Sequence, residues 1–351
     1  MTEQDCVDED VTALTGLGGA TLAALRAAGL DAVDVARAVR AALDEDFAYG
    51  PDVTSAATVA GRTVTADVVA REAGVLAGGP VALAVLDLIG GYAEGPAASR
   101  RAAPRAGASA WEGRRAAAGS RGVRGTVLVP DGERIGAGDA VLRVSGPAPA
   151  VLGAERTMLN FLTHLSGIAT ATRAWADAIE GTGAVVRDTR KTTPGLRVLD
   201  KYAVRCGGGR NHRMGLGDAA LIKDNHVAAA GGVAAAVTAV RTAAAARSGS
   251  AGSAAGAGLV VEVECDSVAQ VREALDAGAH FLLLDNMPLS SLREAVAVAH
   301  DYYGVRLEAS GGLRLENARE VAQTGVDYLA VGALTHSSRA LDLGLDYADE
   351  S

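Results

Sequence analysis

Three stretches of the chain gather residues able to bind anions: RDTRKTTPG at 187–195, GGGRNHR at 207–213 and IKDNH at 222–226. Across residues 187–226, nine Lys or Arg stand against four Asp, a local charge of +5 in a chain whose formal net charge is −9. All three lysines (Lys191, Lys201 and Lys223) fall in this window, although arginines outnumber lysines thirty to three. A guanidinium is a planar fork that meets carboxylate or phosphate through two bonds, whereas an ammonium is a compact charge with adjustable donors. Arg190 beside Lys191 therefore points to anions of more than one shape. The glycine-rich loop adds Arg210, His212 and Arg213, and its glycines allow the backbone to approach a ligand closely.

A second set of residues has the opposite charge. Glu264 and Asp285 close the runs LVVEVEC and FLLLD. Carboxylates on neighbouring strand tips suit magnesium or ribose hydroxyls. ASGGLRLENA at 309–318 sets Ser310, Gly311 and Gly312 just ahead of a helical segment, where amides and the helix dipole receive phosphate. VGALTHS, with Gly332 and His336, follows near the end of the chain. Phosphate on the last two loops is a habit of parallel barrels. The ligand so outlined is polyanionic: a phosphorylated sugar meeting a di-acid.

These residues need a scaffold that brings distant segments to one edge. AVVRDTR, AALIKDNH, LVVEVECD, FLLLDN, VRLEASGG and YLAVGALTH are short apolar runs that turn polar at their C-terminal ends. Helical patterns at 228–246, 267–278, 288–303 and 314–325 separate them. Apolar strands alternating with amphipathic helices predict a parallel sheet buried on both faces, with ligands at the C-terminal edge. Six strands suit an incomplete α/β barrel, and an open doubly wound sheet is the alternative. Upstream, a helix is expected over 31–45, strands over 63–71 and 125–146, and a long helix from about 153.

Composition narrows the function class. The acidic chain, with one basic cluster, argues against nucleic acid as partner. No apolar run is long enough for a membrane span, and MTEQDCVDEDV has no signal-peptide pattern. Cys6, Cys206 and Cys265 show no zinc or disulfide spacing, which fits reduced thiols in the cytoplasm. Residues 95–122 are Gly, Pro, Ala, Ser or Arg except for Trp111 and Glu112. This stretch and 244–258 are expected to be flexible insertions.

The blocks DTRKTTPGLRVLDKYAVRCGGGRNHRMGLGDAALIKDNH, VEVECDS, LLLDN, LEASGGL and VDYLAVGALTHS resemble the quinolinate phosphoribosyltransferase family. DEDFAYGPDVTS and AERTMLNFLTHLSGIAT resemble it too. The resemblance spans roughly 31–92 and 125–348. It implies a smaller N-terminal α/β open-faced sandwich over 31–158, interrupted by 95–122, preceded by a 1–30 extension and joined by a C-terminal tail, 338–351. An incomplete, about six-stranded parallel α/β barrel over 159–337, interrupted by 244–258, follows. It also implies a homodimer with shared active sites, and magnesium-dependent transfer of phosphoribosyl from phosphoribosyl pyrophosphate to quinolinate with loss of carbon dioxide.

Carried over by motif, Arg190, His212, Arg213 and Lys223 surround the quinolinate carboxylates, and Arg156 reaches in from the neighbouring subunit. Lys191, Lys223 and His336 serve the pyrophosphate and catalysis. Glu264 and Asp285 serve ribose and metal, and Ser310, Gly311, Gly312 and Gly332 serve phosphate. Arg187 is expected to be a bystander. Three rivals stand beside this reading: a related transferase using another pyridine or ring acid, a barrel aldolase using Lys223 as Schiff-base nucleophile, and a non-catalytic phosphosugar-binding protein.

Overall fold

The computed structural model describes residues 10–93, 122–248 and 259–348. The chain divides into two compact units. One comprises the chain up to Thr170, Thr193–Gly207 and the chain from Ser338 onward; the other comprises Ala171–Thr192 and Gly208–Ser337.

In the first unit, helices α1 (Gly19–Ala27), α2 (Ala32–Asp46) and α3 (Val53–Thr58) precede strand β1 (Thr63–Ala70). Asp31 caps α2 by accepting from the Val33 and Asp34 amides, each at 2.9 Å, which satisfies N–H groups that have no partner within the helix. Val35, Val39 and Leu43 recur every four residues as its buried stripe. A two-residue strand, β2 (Gly74–Val75), leads into α4 (Gly79–Leu88), an apolar helix buried along most of its length. Strands β3 (Arg124–Val127), β4 (Arg134–Ile135) and β5 (Ala140–Pro147) run into the 31-residue helix α5 (Ala148–Ala178).

The antiparallel sheet has the order β12-β1-β5-β3, where β12 is Leu343–Tyr347. Ala66, Val68 and Ala70 of β1 are buried, while Thr63 and Thr65 are exposed, a period-two pattern that buries one face of the sheet.

In the second unit, six strands form one parallel sheet: β6 (Val185–Arg187), β7 (Ala219–Ile222), β8 (Val260–Cys265), β9 (Phe281–Asp285), β10 (Arg306–Ser310) and β11 (Tyr328–Ala330). Their order is β6-β11-β10-β9-β8-β7. Each strand from β7 to β10 lies beside its successor, and the first strand of this sheet pairs with the last, Leu329 opposite Val186. This is the strand order of a parallel barrel opened at one seam, which lies between β6 and β7. This decides between the barrel and the doubly wound sheet, in which the strand order reverses at a switch point. Arg210 forms an isolated parallel bridge with Arg187 at the free edge of β6.

Helix α6 (Arg197–Cys206) belongs to the first unit, and helices α7 (Asp224–Ala230) and α8 (Val233–Ser248) of the second correct the single helix expected over 228–246. Gly231 and Gly232, with φ of 87° and 136°, break it. The expected flexible stretch 244–258 therefore begins as helix, and 249–258 lies outside the described residues, as do 1–9 and 94–121. Helices α9 (Val268–Asp276), α10 (Leu289–Ala299) and α11 (Ala318–Ala322) occupy the remaining crossovers. Among the described residues no single helix is long and apolar enough to cross a membrane; the pair α7–α8 meets the length and composition only when taken together across a 90° bend.

Candidate active site

A cavity of about 580 Å³ opens at the C-terminal ends of the barrel strands. Leu221 and Lys223, Leu283 and Asp285, with Glu264, Ser310 and Ala330 from the other strands, line it from alternate chain positions. These residues share the inward face of their strands. Thr189, Arg190 and Lys191 enter from beyond β6, His212 and Arg213 from the glycine-rich loop, and Gly311 and Gly312 from beyond β10. Ten of the thirteen residues expected at the site therefore line one cavity. Gly332 and His336 flank Lys191: a Cβ on Gly332 would stand 3.0 Å from Lys191 Cδ and 3.2 Å from His336 Nε2. Arg156 is exposed on α5, in the other unit, and does not line the cavity.

Hydrogen bonds to backbone and side-chain groups fix the cationic segments. Asp188, fully buried, accepts from Asn211 Nδ2 at 2.6 Å and from the His212 amide at 2.8 Å, which ties the glycine-rich loop to the end of β6. The Lys191 carbonyl accepts from Thr335 Oγ1 at 2.8 Å, and its amide donates to Thr189 Oγ1 at 3.0 Å. Lys223 Nζ lies 2.5 Å from Glu264 Oε2. Asn286 donates from Nδ2 to Asp285 Oδ2 at 2.7 Å. It is the one non-glycine residue with positive φ (52°) among those described, and a Cβ on Gly311 would meet its Oδ1 at 2.3 Å. Glycine at 311 and the left-handed asparagine are thus two halves of one close approach, and strain of this kind gathers at functional sites.

The electrostatics of the cavity are unbalanced. Arg190 Nε and Arg213 Nε are buried and have no hydrogen-bond partner. Burial, and then the charge of Arg190, hold the Arg213 guanidinium below its ordinary value. The charges of Asp218 and Glu262 oppose this, yet both Nε atoms stay unpaired, and an incoming anion relieves both penalties.

A layer below, three charged residues correct the expectation that the strands are apolar up to their ends. Arg187, Glu262 and Glu308 lie within strands, and the Arg187 side chain is 12% exposed while that of Glu308 is fully buried. Their carboxylates point inward, two residues short of Glu264 and Ser310. Arg187 Nη1 bonds Glu308 Oε2 at 2.5 Å, an internal pair, and Arg187 does not line the cavity. Burial and the neighbouring Glu262 push the Glu308 carboxyl well above the usual range, with Arg187 opposing. The double acid in VEVE was the signal, because the same spacing that brings Glu264 to the cavity puts Glu262 on the same face. Asp188 and Asn286 were also missed, although both sit inside the quoted motifs. A second cavity, about 540 Å³, lies at the opposite strand ends between Val260, Phe281 and Arg306 and shares no residue with this site.

The sequence profile of the quinolinate phosphoribosyl transferase C-terminal domain matches residues 168–346, and that of the N-terminal domain matches residues 52–166. The chain is 50% identical over 317 residues to the nicotinate-nucleotide pyrophosphorylase (carboxylating) of Mycobacterium leprae, a match covering 89% of this chain and 97% of that one. It is 35% identical over 328 residues to the chloroplastic enzyme of that name from Arabidopsis thaliana, covering 89% and 82%. The solved nicotinate-nucleotide pyrophosphorylase of Francisella tularensis superposes with a TM-score of 0.74 at 34% identity, covering 90% and 96% of the two chains. That of Ehrlichia chaffeensis gives 0.72 at 32%, covering 89% and 98%. With both domain profiles matched in order along a chain that spans nearly the whole of its Mycobacterium leprae relative, the protein belongs to the quinolinate phosphoribosyl transferase family.

Proposed function

We infer that the chain transfers the phosphoribosyl group of phosphoribosyl pyrophosphate to quinolinate, releasing pyrophosphate and carbon dioxide and leaving nicotinate mononucleotide, a step of NAD biosynthesis. The observation that carries this reading is the pair of buried, unpartnered guanidinium nitrogens on Arg190 and Arg213. Two such forks facing one cavity suit a planar dicarboxylate, and clamping both carboxylates aims the pyridine nitrogen at the anomeric carbon. Alignment of that kind lowers a barrier by up to about 7–11 kcal/mol.

As the ring nitrogen bonds to the anomeric carbon, the bond to pyrophosphate breaks. Positive charge grows on the sugar and negative charge on the leaving group. Glu264 and Asp285 face the first, and Lys191, with Gly332 and His336 beside it, faces the second. Ser310, Gly311 and Gly312 offer amides to the ribose phosphate. Once alkylated, the pyridinium accepts the electron pair left when the adjacent carboxylate departs as carbon dioxide, and a proton then replaces it. This step needs no further cofactor. The carboxylates on adjacent strands, Glu264 and Asp285, offer the hard oxygen donors magnesium prefers, and the ion would neutralise the pyrophosphate.

Lys223 stands against a carboxylate rather than in the apolar setting that makes a lysine a Schiff-base nucleophile, which disfavours the aldolase. Burial pushes the thiols of Cys206 and Cys265 up to about 12, so neither is an activated nucleophile. The reading includes a cytoplasmic homodimer in which Arg156 serves the partner's cavity, since Arg156 is exposed and outside its own.

The test is phosphoribosyl-pyrophosphate-dependent release of labelled carbon dioxide from quinolinate, with nicotinate as comparison. Release from quinolinate and no turnover of nicotinate is the expected result; binding without pyrophosphate release would overturn the reading in favour of a non-catalytic protein. Mixed dimers of Arg156→Ala and Lys223→Ala chains should regain activity that neither parent has, and no recovery in verified mixed dimers excludes sharing.

A further inference from the structure

The ring of His212 is fixed at both nitrogens. Nδ1 accepts the Arg213 backbone N–H at 2.7 Å. Nε2 lies 2.8 Å from Glu262 Oε2. A ring nitrogen that accepts an amide hydrogen carries none of its own, so the ring proton sits on Nε2 and is donated to Glu262. The carboxylate thereby selects the tautomer, as partners of metal-bound histidines do. In the opposite tautomer two N–H groups would face each other between His212 and Arg213, and the Arg213 backbone would have to move.

Glu262 is itself braced. It is 2% exposed and shares the inward layer with Glu308, which is fully buried. Glu308 is bonded to Arg187, whose guanidinium lies over the rings of Tyr328 and Phe281, 4.8 and 5.2 Å from their centroids. Of these residues only His212 lines the cavity.

We propose that Glu262 is a positioning residue for the anion clamp: it holds His212 in the Nε2–H form and, through that ring, sets the backbone from which Arg213 reaches the cavity. Its kinetic consequence rests on the reading of the cavity as the quinolinate site; the tautomer does not. His212, Glu262 and Glu308 also offer ligand atoms within 4.8 Å of one another. The Nε2 lone pair that a metal would need is occupied by the proton in this arrangement.

The test uses the full chain labelled with ¹⁵N-histidine. Long-range ¹H–¹⁵N spectra read the tautomer, and His212→Gln identifies the His212 signals among the six histidines. The wild-type ring is expected to be neutral and protonated at Nε2. Glu262→Leu should lose that single tautomer and raise KM for quinolinate about tenfold. Its kcat and its KM for phosphoribosyl pyrophosphate should move less than about twofold. Glu262→Gln keeps an oxygen acceptor and should restore both the tautomer and KM. An Nδ1-protonated wild-type ring, or an unchanged tautomer in Glu262→Leu, would overturn the proposal. So would both variants losing kcat and both KM values together with melting temperature, or a stoichiometric divalent metal that leaves with Glu262. Should the wild type not turn over quinolinate at all, the functional reading fails and the spectra alone decide this proposal.

Discussion

Arginines of the antiparallel sheet and arginines of the barrel mouth solve opposite problems. On the sheet, Arg143 stands directly across from Asp67 in the β1–β5 register and bonds it through two nitrogens at 2.7 Å. Arg71 is bidentate with Asp346 in the same way, at 2.8 and 2.6 Å. Each cation is completed within the protein, half in water, where such pairs contribute little to stability. At the mouth, Arg190 and Arg213 are more deeply placed, repel one another and leave buried nitrogens without acceptors. A complete pair serves the fold; the incomplete one is what we propose receives the ligand.

Substitutions sharpen the contrast. Arg190→Ala or Arg213→Ala should lower kcat/KM for quinolinate by about a hundredfold to a thousandfold, because a donor aimed at the substrate is lost in a water-poor site. The melting temperature should hold or rise, since a crowded cation has gone. Wild-type kinetics in either variant would remove the clamp. Arg187→Ala, which strands the buried Glu308, should instead destabilise the fold by about 3–5 kcal/mol by denaturant titration. A neutral result there would mean that the inner layer tolerates an unpaired carboxylate.

Arg143→Ala marks the small end of the series, with unchanged kinetics and little change in melting temperature at neutral pH. Its trace should appear in acid. The hydrogen bond from Arg143 holds the Asp67 carboxyl below its ordinary value, against the effect of its own burial. The stability this gives is present above the unfolded carboxylate value near ~3.9 and is lost as pH falls through the lower folded value. The variant should therefore show a flatter fall in stability below about pH 4 than the wild type.

Much of the cavity could be read from the chain because strand ends are marked in sequence. Lys223, Glu264, Asp285 and Ser310 each terminate an apolar run, and a parallel sheet brings all such ends to one edge whatever its closure. The motif that holds Arg190 and Lys191 carries its own anchor in Asp188, yet nothing in RDTR says that this acid faces the loop rather than solvent. Glu262 and Glu308 were hidden for a related reason. An acid in mid-strand can face either side of a sheet, and only curling decides that one side is a sealed interior. The helix pattern failed where Gly231 and Gly232 admit left-handed backbone, which a count of apolar spacing does not register.

The sequence by itself determined that positive charge gathers in one window of an acidic chain, that six strands alternate with helices, and that polar and charged residues stand at their C-terminal ends. Those are properties of local order and of period, and they hold before any contact forms. The tertiary structure alone decided that β6 returns beside β11, that Arg190 and Arg213 share a wall with both Nε atoms unpaired, and that Glu262 meets His212 Nε2. Each of these depends on which residues meet across the barrel, and that follows from curvature and register rather than from spacing along the chain.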